Sequence, residues 1–185
     1  MVHYKFIIPT LLLFILISCG DLSEYENQQV SEALSDSVLT TTYTGNPEME
    51  FMENNSLKLK LTGSASIATK NNKLNINRIA GPVHIDIYNN GSLDTTVDAD
   101  SAVYFPAESV FEMFGSVKVM APGDKKLFSD YLKWDRDQDR VFTDQFVVLI
   151  TPTDSLTGNS FEGNSDLSEA TITNTGDGGG RSVID

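Results

Sequence analysis

The sequence predicts an all-β protein, a twisted antiparallel β-jelly roll built from repeated hairpins. Three observations carry the prediction. From Met49 onward apolar and polar residues alternate at period 2, as in Leu57-Lys58-Leu59-Lys60-Leu61. No long apolar stripe at helical spacing appears after Met49. A unit of two strands and a turn also recurs thirty residues apart, at Ala99–Val119 and Ser129–Leu149. In it Asp100 falls on Asp130, Ala102 on Leu132, Tyr104 on Trp134, Phe111 on Val141 and Val117 on Val147. Alternation implies one apolar and one solvated face per sheet, and two such faces curled together make a jelly roll or flattened barrel.

Taken from the start, residues 1–18 read as a secretory signal. Phe6 to Ile17 is a nearly unbroken apolar run of about twelve residues, short of the roughly 20 that span a bilayer. It ends in Leu16-Ile17-Ser18-Cys19-Gly20, which resembles a bacterial lipobox. Cleavage there would leave Cys19 as an acylated N-terminus and a lipid anchor; the plainer reading is a small buried cysteine. As the only cysteine, it excludes an intramolecular disulfide. Residues 19–48 are polar and read as a flexible tether, with the make-up of a short helix around Leu22 to Leu34.

The folded domain is expected at 49–175. Leu57, Leu59 and Leu61 share one strand face, and Gly63-Ser64 offers a bend. Val83-His84-Ile85-Asp86-Ile87-Tyr88 continues the alternation, with His84 on the solvent side. Asn89-Asn90-Gly91 is a hairpin turn, because Asn and Gly tolerate positive φ. The two repeats follow, joined by Ala121-Pro122-Gly123-Asp124. A weaker third copy at about the same spacing places Phe161 on Tyr131. Residues 176–185, with four glycines, read as a disordered tail.

Composition narrows function by exclusion. A net charge of −13 and a pI near 4.4 argue against nucleic acid, which needs clustered Lys and Arg. Past the signal, His84 is the single histidine, so neither a nucleophile–base pair nor a His/Cys metal cluster can be built. Asp135-Arg136-Asp137-Gln138-Asp139 has the acids of a calcium loop. It puts Arg140 and Phe146 where that loop needs Gly and Glu, so a charged hairpin tip is the simpler reading. The expectation is no enzyme, no metal and no cofactor.

The inward set of the repeats is Ala102, Tyr104, Phe111, Met113, Val117 and Val119, then Leu132, Trp134, Val141, Thr143, Val147 and Leu149. These residues form either an ordinary sandwich core or the lining of an acyl-chain groove. At about 25 cal/mol per Å² of apolar area, one long acyl chain would gain several kcal/mol in such a groove. Periodicity does not separate the two.

Leu127-Phe128-Ser129-Asp130-Tyr131-Leu132-Lys133-Trp134-Asp135, then Val141–Val147, Thr157-Gly158 and Phe161-Glu162-Gly163, resemble the LptC family. Phe114-Gly115-Ser116-Val117-Lys118-Val119 is similar to that family's glycine-valine element. The resemblance covers roughly 50–175. It implies a jelly roll that accepts lipopolysaccharide from an inner-membrane ABC transporter containing LptF and LptG. That roll then passes the lipid to a periplasmic LptA-type bridge by strand addition at a sheet edge. It implies that Leu57, Leu59, Leu61 and the apolar members of the inward set line the lipid path. It also implies a periplasmic protein at the inner membrane, held here by Cys19 where better-known members use a spanning helix. Two other readings stay open: a structural or surface β-sandwich lipoprotein binding protein or glycan, and a relative anchored in the outer membrane.

Overall fold

The structure, a computed structural model, describes residues 38–173 with their side chains and residues 180–184 by their backbone. The signal segment, Cys19 and most of the tether lie outside the described residues. Among the described residues, fourteen strands, all paired antiparallel, form one sheet. They are β1 (Thr40–Gly45), β2 (Glu48–Glu53), β3 (Ser56–Thr62), β4 (Ala65–Lys70), β5 (Asn75–Asn89), β6 (Ser92–Phe105) and β7 (Val110–Ala121). The rest are β8 (Lys125–Asp135), β9 (Arg140–Thr143), β10 (Val147–Ile150), β11 (Ser155–Gly158), β12 (Ser160–Gly163), β13 (Glu169–Thr173) and β14 (Gly180–Ile184).

The register reduces this list to a simple plan. β4 pairs with the first half of β5, whereas β3 pairs with its second half. At the other side β9 pairs with the end of β8 and β10 with its beginning. The sheet therefore has two halves that share β5 to β8. Half A holds β1, β4, β9, β12, β13 and β14; half B holds β2, β3, β10 and β11. The chain crosses between halves along one line. Short links do so at 46–47, 63–64, 144–146 and 159, and breaks in register do so within β5, β6 and β7. Successive crossings alternate in direction. The jelly roll is thus an up-and-down meander of strands, each bent at its middle, and the thirty-residue repeat is one down-and-up pair.

Local chemistry marks that bend. Gly115 has φ +71°, a left-handed conformation that glycine accepts without strain, and Ser116 follows at +47°. The Asp100 side chain packs so close to Gly115 that a Cβ there would collide with it. Gly81 lies against the Asp100 carbonyl in the same way. Ser64 Oγ donates to the carbonyls of Ala80 and Gly81 at 3.2 and 2.8 Å. Asn46 N donates to Ser64 O at 2.9 Å, tying the two outermost crossings together. Such bulges increase bend and twist, which lets one sheet close over itself.

Three boundaries differ from the sequence expectation. Thr40–Gly45 is a strand, not tether, and it forms the edge of half A. Its six residues are all exposed, so no burial pattern marks it in the sequence. Gly180–Ile184, read as tail, pairs with β13. The third repeat is also out by one: the crossing residue is Asn159, so buried Phe161 corresponds to inward Leu132 and not to outward Tyr131.

Candidate functional site

All twelve residues of the inward set are buried, as are Leu59 and Leu61. Leu57, near the β2–β3 turn, is only half-buried. The cross-strand row Tyr104, Phe111, Trp134, Val141 runs across half A. Tyr104 and Phe111 stack at 4.3 Å between centroids, and Phe111 and Trp134 at 5.6 Å. The row Leu61, Ile85, Val97, Val119, Leu127, Leu149 faces it from half B. Buried polar groups are few, and Thr143 is satisfied by donation from Gln145 N to its Oγ1 at 3.1 Å. Burial also raises the Tyr104 phenol above its usual range.

The interior is closed. A void of about 10 Å³ remains between Val97, Met113, Leu132 and Leu167, room for one water at most. Ile87, Trp134 and Ser165 line both this void and a mouth of about 600 Å³. That volume is within the roughly 300–1,000 Å³ of ligand sites. The mouth lies at the free ends of both halves, opposite the bend. The β2–β3 and β5–β6 turns come from half B, and the β8–β9 turn with Ser165 and Asp166 from half A.

Phe51 sits where the mouth meets the core. It projects from edge strand β2 of half B onto half A. Its ring meets Tyr104 edge-on at 5.2 Å and Phe111 at 5.7 Å. The Arg136 guanidinium lies over its outer side, 5.5 Å from the ring centre. Arg136 is held by a hydrogen bond to Ser109 Oγ at 3.3 Å. The acidic tip has structural duties: Asp135 accepts from Gln138 N at 3.0 Å, and Asp139 accepts from the Trp134 indole and from Ser165 N, both at 3.3 Å. Beside Phe51, Met49 covers Asn77, whose amide nitrogen reaches the Met49 sulfur at 3.5 Å. Asn77 Oδ1 is buried there without a hydrogen-bond partner. A buried orphan acceptor costs about 1–3 kcal/mol, and the contact between β2 and half A carries that cost.

The chain matches one known family, described as "LptC: Lipopolysaccharide-assembly, LptC-related", over residues 10–178. The match covers most of the sequence. The chain belongs to the LptC family. A search of curated proteins found no match. Membership makes this LptC-family chain a component of lipopolysaccharide transport, and its all-β fold agrees with the resemblance seen in the sequence. Among the described residues no helix is long and apolar enough to cross a membrane.

Sequence reasoning found the buried residues of this LptC-family interior and missed the aromatic contact at its rim. Phe51, Met49 and Arg136 were not singled out. The signal for the first two was present in Glu48-Met49-Glu50-Phe51, an alternation that begins one residue before the expected domain start. No local pattern could link Arg136 to Phe51.

On the outer surface His84 is half-exposed and clamped between two carboxylates. Its Nδ1 is 2.7 Å from Asp98 Oδ1 and its Nε2 is 3.1 Å from Asp86 Oδ1. The hydrogen bond to Asp98 is the main cause of a pKa raised above the usual 6.5, partly offset by burial. Because the folded state binds the proton more tightly than the unfolded state, the clamp stabilises fully below about pH 6.5 and is lost as pH rises through the raised value. The native protein should therefore lose melting temperature between about pH 6 and pH 9, and His84→Gln should flatten that fall. Thermal unfolding over that range checks it, and equal slopes for both proteins would contradict it.

Proposed function

We propose that this LptC-family protein carries lipopolysaccharide by taking its acyl chains between the two half-sheets. It receives the lipid from an inner-membrane ABC transporter with LptF- and LptG-type subunits and delivers it to an LptA-type bridge. The observation that carries the reading is a 600 Å³ mouth that shares Ile87 and Trp134 with the lining of an apolar interior, with Phe51 packed at the boundary. The lining residues are those the resemblance implied: Ala102, Tyr104, Phe111, Met113, Val117, Val119, Leu132, Trp134, Val141, Val147 and Leu149, with Leu59 and Leu61.

Entry requires the β2–β3 hairpin to lift. Exposing the half-buried Phe51 costs at most about 3 kcal/mol, and each acyl methylene buried returns about 0.8 kcal/mol. Roughly four methylenes therefore offset the opening, so a longer chain drives it. The lipid phosphates stay at the rim, near Lys58 and Arg136. Delivery by strand addition is supported by edge strands with one described partner each: β1 pairs with β4 and β11 with β10. Cys19, acylated, would hold the protein at the periplasmic face of the inner membrane.

The closed interior favours one second reading, a solid-core β-sandwich lipoprotein that binds protein or glycan. Depletion in cells separates the two. The carrier reading expects lipopolysaccharide to build up in the inner-membrane fraction; unchanged distribution would reject it.

A further inference from the structure

The outer face of half B is divided by charge. On β7, β8 and β10 its outward positions form two cross-strand rows, Met120–Lys126–Ile150 and Lys118–Phe128–Val148. Met120 and Ile150 are 40 % and 37 % exposed, and the other four are half-buried. Two lysines and four apolar side chains thus occupy six neighbouring positions with no carboxylate among them, on a chain of net charge −13. The flanking strands offer Thr96 on β6 and Ser155 and Thr157 on β11. The nearest carboxylate is Asp98 on β6, directly opposite Lys118 and 2.7 Å from the His84 ring; Asp86 on β5 lies beyond Thr96 and also contacts His84, and Asp124 and Asp154 lie in the end turns.

We propose that this face docks on an anionic lipid bilayer. Charge complementarity selects an anionic partner, and the side-chain mix selects a bilayer over a protein. Protein interfaces are depleted in lysine and rely on aromatic or arginine anchors seated in pockets. Here lysines and apolar tips alternate on an open sheet face. A bilayer interface suits that mix: the apolar tips enter the headgroup boundary, and the lysine stems lie along it with their ammonium groups on phosphate. Asp98 and Asp86, the nearest carboxylates on the same face, both hold His84, and the outer side of half A is a full sheet spacing of about 10 Å away, near the Debye length at physiological salt. This patch is therefore the part of the face that can approach. The docking is independent of where acyl chains bind.

Amine footprinting tests it on the full chain. The protein is incubated with phosphatidylglycerol vesicles, or with neutral phosphatidylcholine vesicles, then acetylated briefly and read by mass spectrometry. The neutral arm cancels any effect of an N-terminal anchor. On anionic vesicles Lys118 and Lys126 should lose labelling, while Lys70 and Lys133 on half A keep it. Lys118→Gln should weaken the protection of Lys126 about fivefold, the share of one lysine at an anionic surface. Met120→Ser with Ile150→Ser should weaken it too, with the melting temperature unchanged because both sites face outward. Equal labelling of Lys118 and Lys126 on the two vesicle types would overturn the proposal. So would protection by soluble polyglutamate that equals the vesicles and ignores the serine substitutions, which would identify an acidic polypeptide as the partner.

Discussion

Phe111→Ala should remove about 3–5 kcal/mol of folding stability, the largest loss expected from one core substitution here. Phe111 is fully buried and is the one ring that touches Tyr104, Trp134 and Phe51 together. Truncation removes its transfer energy, leaves a cavity, and breaks three ring contacts worth about 0.5–1.5 kcal/mol each beyond area. The surrounding strands are shared by both half-sheets, so the backbone has little freedom to collapse into the gap. A domain with a typical stability of about 5–15 kcal/mol would be left marginal. Phe146→Ala is the matched control. Phe146 is 59 % exposed, and its loss should stay within about 0.5 kcal/mol. Urea unfolding of both variants provides the comparison, and a loss below about 1 kcal/mol for Phe111→Ala would mean that the aromatic row is not the keystone of half A.

The second large effect concerns movement. In a Cys19→Ser background, Met49→Cys with Asn77→Cys places thiols on the two side chains that meet across the β2 seam. Joining them with a short thiol-reactive linker fixes edge strand β2 to half A. The linked protein should melt higher and gain about 2–4 kcal/mol of unfolding free energy, typical of a crosslink. It should also lose lipopolysaccharide uptake, because Phe51 can no longer leave Tyr104 and Phe111. The unlinked double variant should bind. Binding that survives the linker would show that lipid enters by another edge.

The inner faces were legible in the sequence because burial at period 2 leaves a mark on every second residue. Leu59, Leu61 and the twelve inward residues of the repeats were read correctly on that ground alone. The line of bends was half-legible: Asp100 and Asp130 mark it in the repeat, but only the register shows that Gly81 and Gly115 pack against Asp100. β1 was invisible because Thr40–Gly45 buries nothing. The mouth was illegible because it joins residues as far apart as Glu53, Asp94, Arg136 and Asp166. A groove and a solid core share one sequence pattern, since both need the same apolar lining. The difference lies in one hairpin and in the cost of lifting Phe51.

Site-specific photo-crosslinking tests the central claim most directly. A photoreactive amino acid replaces Val117 or Leu132, both buried between the half-sheets, and Phe142, exposed on the outer face of half A, serves as control. In cells making lipopolysaccharide, the two interior positions should form a lipopolysaccharide adduct and position 142 should not. Adducts absent from 117 and 132 in folded protein, or equal at all three positions, would contradict passage of the lipid through the interior.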